Sequence, residues 1–216
     1  MKSSLRAIGL RRPSRRTQAR LSRAMQGVLV VLFVAGVATG SPKVAINSAL
    51  ALAVTALPSI LERNYEVVLD PWLALWITAA VFLHTMGSSG LYNSIDWWDH
   101  VTHGLSASLV AAVGYTTVRS IDVHHDDIAI PHRFFFVYIL LFVMAFGVLW
   151  ELFEFGLDVV SARTGLEMPL SQHGLDDTVK DMMFNALGAL VVATWGQAHL
   201  TGVAESIVER YQSRLP

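Results

Sequence analysis

The chain has 216 residues, of which 53% are hydrophobic and only 15% are charged. A soluble domain usually carries about 25% charged residues, so this composition excludes an ordinary water-soluble protein. Cysteine is absent, which excludes disulfides, thiolate nucleophiles and thiolate metal ligands and leaves His, carboxylate or backbone oxygen for any metal.

Six apolar stretches have about the length of 20 residues that a membrane-spanning helix needs. They lie at about 24–40, 44–61, 71–92, 101–118, 134–157 and 181–200. The sequence therefore predicts an all-α, polytopic membrane helix bundle: a basic tail at 1–23, a six-helix transmembrane domain at 24–200 and a short tail at 201–216. The alternative for the first stretch is a signal peptide cleaved near Ala38, but its 17 apolar residues favour a retained helix.

The distribution of Lys and Arg predicts the orientation, because cytoplasmic loops are enriched in both. Eight lie in residues 1–23, which contain no acid. With this tail in the cytoplasm, the inner segments hold thirteen Lys and Arg and the outer ones three, Lys43, Arg163 and Lys180. We therefore expect a multi-pass protein of the cytoplasmic (inner) membrane with both termini inside. Its expected partner is the lipid bilayer, and no specific nucleic acid is expected.

Ionisable residues at membrane depth are usually tied to function, because a charge is costly to bury there. His84 lies 13 residues after Pro71, so it is expected in the outer half of the third span. Asp99 and His103 are four residues apart at the start of the fourth span, on one helical face. His84 could instead form only an interhelical hydrogen bond.

Two further stripes converge on the same outer layer. Glu151 and Glu154 lie near the end of the fifth span, and Asp177 and Asp181 open the sixth. Clustered carboxylates take up protons or recruit a cation. We therefore predict a divalent metal, Mg, Mn, Fe or Zn, held by His84, Asp99, His103, Asp177 and Asp181, with Glu151 and Glu154 as catalytic residues. The simpler alternatives are that Thr178 and Asp181 cap the sixth helix and that the two glutamates are solvated.

At these residues the chain resembles the YjdF-like family of uncharacterised bacterial inner-membrane proteins. The matching blocks are Leu83-His84 with Gly87 and Tyr92, Asp99-x-x-x-His103-Gly104, Trp150-Glu151 with Glu154, and Asp177-Thr178-x-x-Asp181-Met182 leading to Gly188-Ala189. A more distant likeness to VanZ-type membrane proteins rests on Asp-x-x-x-His, a later Glu, and an Asp before Asn185-x-x-Gly188-Ala189. Neither resemblance implies a known reaction.

The sequence favours an outward-facing His and carboxylate pocket that acts, with a metal, on a lipid-linked or amphipathic substrate. An ion- or proton-coupled transporter is the main alternative, although the inner halves of these spans lack polar partners for a through-path. A structural protein with a polar helix latch is another. A rhomboid-type protease would use Ser89 as nucleophile and His103 as base, but no second rhomboid signature is present. The oligomeric state stays open.

Overall fold

A computed structural model of the chain describes residues 13–65, 69–125, 127, 129–166, 168–170, 172, 174–196, 200–202, 204–205 and 208. In these residues the fold is entirely helical. The helices are α1 (Arg15–Ala38), α2 (Pro42–Tyr65), α3 (Pro71–Met86), the short α4 (Tyr92–Ser94), α5 (Trp98–His124), α6 (His132–Thr164) and α7 (Leu175–Val191). A π-helical turn at Gly87–Leu91 joins α3 to α4, and another at Val192–Gly196 follows α7.

The six predicted stretches coincide with the six long helical segments, so the helical bundle is confirmed. Within the described residues, four segments are long and apolar enough to cross a membrane: Arg15–Ala38, Pro42–Asn64, Pro71–Ser94 and Arg133–Thr164. The predicted spans at 101–118 and 181–200 fall on α5 and α7, which start earlier and carry the acidic residues in their first turns. Residues 197–199 and most of both predicted tails lie outside the described residues.

The bundle consists of two groups of three helices. α1, α2 and α3 pack on one another, as do α5, α6 and α7, and α3 joins the groups by packing on α5. The apolar core lies in the second group and includes Ala111, Ile139, Val143, Ala189 and Val192. The helices alternate in direction, so the ends of α3 and α6 and the starts of α2, α5 and α7 meet at one end of the bundle. We call this the site end.

Small residues allow close helix packing in both groups, as is common in membrane bundles. A Cβ atom added at Gly188 of α7 would lie 3.1 Å from the Cβ of Ala107 and would clash with the carbonyl oxygen of Gly104 on α5. A Cβ atom at Gly36 of α1 would lie 2.6 Å from the backbone nitrogen of Ala45 on α2. α1 and α2 therefore approach closely at Gly36, whereas retention or cleavage of the first helix stays a prediction.

Two local features shape the site end. The chain turns after α3 at Gly90, whose φ of 135° suits glycine. This turn bends the chain within the third candidate span, and α5 begins four residues after α4 ends. Beyond α6, Asn47 of α2 donates a hydrogen bond from Nδ2 to the carbonyl oxygen of Pro169, at 2.8 Å. That bond ties the α6–α7 connection to the first group of helices, across the site end.

Candidate metal-binding site

Three potential metal ligands from two helices lie together at the site end. Nε2 of His103 is 3.6 Å from Oδ1 of Asp99, which lies four residues earlier on α5. The same nitrogen is 3.9 Å from Oδ2 of Asp181 on α7. These separations exceed a hydrogen bond. One ligand atom from each residue lies within 4.8 Å of the other two. Ligands bound to one ion at about 2.0–2.2 Å each have comparable spacings.

Asp181 is the most enclosed of the three, with only 2% of its surface exposed. Its Oδ1 atom is buried and has no hydrogen-bond partner among the described residues. A buried carboxylate oxygen without a partner is costly, because the lost hydration is not replaced. Asp181 lies in the second turn of α7, which begins at Leu175 after Gly174 without a side-chain cap. The alternative in which Thr178 and Asp181 cap the helix is therefore wrong.

A hydrogen-bonded network surrounds the three ligands on the α3 side. The Tyr92 hydroxyl lies 2.8 Å from Nδ1 of His84 and 3.3 Å from the hydroxyl of Thr102, on α5. Trp98 donates from its indole nitrogen to the carbonyl oxygen of Leu83, at 2.9 Å. These contacts hold the end of α3 against the start of α5, and they orient His84 toward the same space as Asp99 and His103.

The two glutamates of α6 are buried rather than solvated, with 6% of Glu151 and 9% of Glu154 exposed. The intervening Leu152 and Phe153 are 61% and 54% exposed, on the opposite face, as the predicted stripe requires. Oε1 of Glu154 accepts a hydrogen bond from the indole of Trp150 at 3.0 Å. The two acids are therefore held at the inner face of α6 rather than at a solvated helix end.

Glu151 is bound to α7 and to the connection before it. Its Oε2 atom accepts a hydrogen bond from the Thr178 hydroxyl at 2.7 Å, which in turn accepts one from the Gln172 side chain at 2.9 Å. The backbone nitrogen of Gln172 donates to Oδ2 of Asp158 at 2.8 Å. Oε1 of Glu151 is buried without a partner among the described residues. This chain of bonds fixes the α6–α7 connection beside the ligands.

These residues enclose a small polar cavity of about 30 Å³, which we call the acidic cavity. Its walls are formed by residues from α2 to α7, the π-helical turn after α3 and the α6–α7 connection: Lys43, His84, Gly87, Ser88, Tyr92, Asn93, Asp99, His103, Glu154, Pro169, Leu170, Asp177 and Asp181. Since one water needs about 10–15 Å³, the cavity has room for an ion or one to two waters rather than for a whole organic ligand. The cavity also contains a cation from the first group of helices, the half-buried Lys43.

Six of the seven predicted site residues line this cavity, and Glu151 lies just behind its wall. Asp99, His103 and Asp181 form the cluster of ligand atoms, whereas His84 and Asp177 line the cavity without joining that cluster. Ser89 is exposed, and its hydroxyl donates to the carbonyl oxygen of Thr85 at 2.7 Å. It does not line the cavity, so the structure does not support the protease interpretation.

Sequence reasoning missed some of the site's residues. Lys43 lies far from the acidic residues in the sequence, since the rest of α2 and all of α3 come between them. No local pattern around Lys43 indicates that it belongs to the site. For Thr178 the sequence suggested only a possible helix cap, and its hydrogen bond to Glu151 was not predicted. Trp150 and Tyr92 were noted for the family resemblance, although their roles in holding Glu154 and His84 required the coordinates.

The fold and the cavity together define a helical membrane protein with an acidic, histidine-containing pocket at one end of its bundle. Residues 21–202 match the family of predicted membrane proteins DUF2238, and the chain belongs to that family. This is consistent with the resemblance to YjdF-like proteins, whereas the VanZ likeness stays a prediction. The chain is also similar to an uncharacterised protein of Thermotoga maritima, with 29% identity over 138 residues covering 63% of this chain and 67% of the relative. No solved structure matches it.

Proposed function

We propose that this chain is a metal-dependent membrane enzyme that acts on a lipid-linked or amphipathic substrate. Its acidic cavity would hold one divalent cation. The cation would be Mg, Mn, Fe or Zn, bound by Asp99, His103 and Asp181 with His84 and Asp177 beside it. The observation that carries the proposal is the buried, unpartnered oxygen of Asp181 at a gap bounded by a second carboxylate and an imidazole.

Charge balance supports a cation at this place. Asp99, Glu154, Asp177 and Asp181 line one cavity, with Lys43 as its cation among the described walls. Burying like charges together is expensive unless a counter-charge is present. A divalent ion would reduce the imbalance and satisfy the free carboxylate oxygen, and its preference for oxygen and imidazole ligands fits the cluster.

The chemistry that follows is a hydrolysis or a group transfer. A divalent ion, when bound, polarises a phosphoryl or acyl oxygen of the substrate. Glu154 is placed to accept a proton, because it lines the cavity and the Trp150 indole orients one of its oxygens. Glu151 lies behind the wall and braces α6 against α7 through Thr178. Lys43 would contribute a positive charge to an anionic group.

We further propose that the site end faces away from the cytoplasm, as the distribution of Lys and Arg predicts, with both termini inside. The transporter alternative would require polar groups along a path through the bundle. Next to the acidic cavity, toward the other end of α3 and α6, the space between the helices is mostly apolar: its lining includes Ala80, Val81, Val110, Val143 and Phe146, with the uncharged polar residues Thr102, Ser106 and Asn185. No carboxylate or ammonium group of the described residues lines this space, which favours an enzyme over a path for ions through the bundle.

Metal content tests the proposal most directly. We would purify the full chain in detergent, measure bound metal by mass spectrometry, and titrate Mn and Zn into chelator-treated protein. Asp181→Asn and Asp99→Asn keep the side-chain volume but remove an anionic ligand, so each should lower the affinity at least about tenfold. The matched control is Asp176→Asn on α7, whose side chain is exposed and outside the cavity walls.

A parent protein that binds no metal, or equal losses in all three variants, would overturn the metal site. For the reaction, the parent would be incubated with polar lipids from its expression host, with Mn or with chelator, and the products identified by mass spectrometry. We expect metal-dependent conversion that Glu154→Gln abolishes without loss of metal. Conversion that persists in Glu154→Gln would remove its role as proton acceptor.

A further inference from the structure

A second cavity lies directly beside the acidic cavity, between α3, α5 and α6. It encloses about 270 Å³, several times the volume of the acidic cavity and close to the lower end of the roughly 300–1,000 Å³ of ligand sites. Most of its walls are apolar, and its lining consists of Ala80, Val81, His84, Thr102, His103, Ser106, Ala107, Val110, Val143, Phe146, Gly147, Trp150 and Asn185. We call it the apolar cavity. Neither the family nor the relative of the chain assigns it a ligand.

The two cavities share His84 and His103 as walls. At their junction the rings of His84 and Trp150 meet edge to face, with centroids 6.1 Å apart. Trp150 also holds Glu154 on the acidic side. A molecule that occupied both cavities would therefore place an apolar part next to Trp150 and a polar part at the His and carboxylate cluster.

The apolar cavity opens sideways rather than through the end of the bundle. α3 and α6 both pack on α5 but barely contact each other within the described residues. Phe146 and Trp150, on the rim at α6, are 47% and 39% exposed on a face where Leu149 is 60% exposed. Such an apolar outer face on a candidate membrane span faces lipid, so the gap between α3 and α6 opens into the bilayer.

The length of the cavity fits a chain rather than a compact ligand. The lining runs from Thr102 to Val110 on α5 and from Val143 to Trp150 on α6, which is about 10–12 Å along a helix axis. A partner helix would need a continuous exposed face, whereas this space is concave and ends at the polar cluster. In the bilayer the abundant apolar ligand of this shape is a lipid hydrocarbon tail.

We propose that the apolar cavity binds part of the hydrocarbon tail of one membrane lipid, which enters between α3 and α6 and places its polar head group beside His84 and Trp150, at the edge of the acidic cavity. The claim that the head group is the part that reacts rests on the proposed function. Binding of the tail does not, and the two can be tested separately.

The experiment uses the full chain in the membranes of cells fed a fatty acid that carries a diazirine in mid-chain, which they build into their own lipids. Irradiation would crosslink each tail where it lies, and peptide mass spectrometry would locate the adducts. The mass of each adduct would also identify the head group. Val110→Phe fills the apolar cavity, and Val113→Phe, at a position 62% exposed on the same helix, is its matched control. Ser106→Leu is a second, smaller filling variant.

In the parent we expect adducts on Val81 and Val143 inside the cavity as well as on lipid-facing Leu149. Val110→Phe and Ser106→Leu should lower the cavity adducts by about tenfold and leave those on Leu149 unchanged. Val113→Phe should leave all adducts unchanged. Absence of cavity adducts in the parent, or equal labelling in all variants, would overturn the proposal. Asp181→Asn should lose metal but keep the cavity adducts, which separates failure of the metal site from failure of the tail site.

Discussion

The close contact of α5 with α7 gives a sharp test of how the ligand cluster is held together. His103 lies one residue before Gly104 on α5, and Asp181 lies two turns before Gly188 on α7. A methyl group added at Gly188 would lie 3.1 Å from both the Cβ of Ala107 and the backbone nitrogen of Ser108, and closer still to the carbonyl oxygen of Gly104. Two of these three atoms are backbone and cannot rotate away, so Gly188→Ala must push the helices apart.

The expected cost follows from two opposing terms. Overpacking a tight contact costs about 1–3 kcal/mol, while replacing glycine by alanine inside a helix otherwise gains roughly 0.5–1 kcal/mol. We therefore expect a net loss of about 1–2 kcal/mol in the free energy of unfolding, and a fall in the thermal midpoint on the order of 5 °C. Because the shift separates His103 from Asp181, metal affinity should fall by about tenfold or more.

The assay is thermal unfolding in detergent followed by circular dichroism, with metal titration on the same samples. The matched control is Gly156→Ala on α6, where an added Cβ atom would have no neighbour within 4 Å. This control should be neutral or slightly stabilising, with unchanged metal affinity. If Gly188→Ala were as stable as Gly156→Ala, α5 and α7 would not approach as closely as described. The distance between His103 and Asp181, which depends on that approach, would then be wrong as well.

Three further outcomes test other parts of the structure. Tyr92→Phe removes the hydroxyl that lies 2.8 Å from His84, and should cost about 1 kcal/mol in unfolding free energy measured by thermal denaturation; an unchanged midpoint would contradict that contact. Chelation should lower the thermal midpoint of the parent by several degrees, because metal binds only the folded chain, and should leave Asp181→Asn unaffected; an equal response in both would contradict the site. Reporter fusions should read outside after positions 95 and 170 and inside after 66, 125 and 216, and the reverse pattern would place the site end in the cytoplasm.

The fold was predictable because the membrane imposes one constraint on every span. A segment that crosses the hydrocarbon must satisfy its backbone internally and present apolar side chains, so apolar runs of the right length mark helices without knowledge of their packing. The same criterion placed the starts of α5 and α7 too late, because it recognises only apolar residues as part of a span. Their first turns carry Asp99 and Asp177, whose polarity resembles a loop until the neighbouring helices that enclose them are known.

The site was predictable to the extent that it follows helical periodicity. Asp99 and His103 share a helical face because they are four residues apart. Glu151 and Glu154 share one because they are three residues apart and the residues between them are apolar. Contacts across the bundle do not follow from such spacing. Lys43 reaches the cavity because α2 starts at the site end, and Thr178 contacts Glu151 because α7 begins before it; neither relation has a local pattern in the sequence.

The packing of the two helix groups bears on how a substrate would reach the site. The potential metal ligands come from α5 and α7, which the glycine contacts hold together closely, so their positions are fixed before any ligand arrives. The gap between α3 and α6 is not closely packed. The rings of His84 and Trp150 close it at the site end, and the rest of it is open to lipid. A rigid ligand cluster beside a lateral opening favours a reaction on a head group that stays attached to its lipid, because the tail can remain in an apolar environment while the head group alone reaches the edge of the acidic cavity.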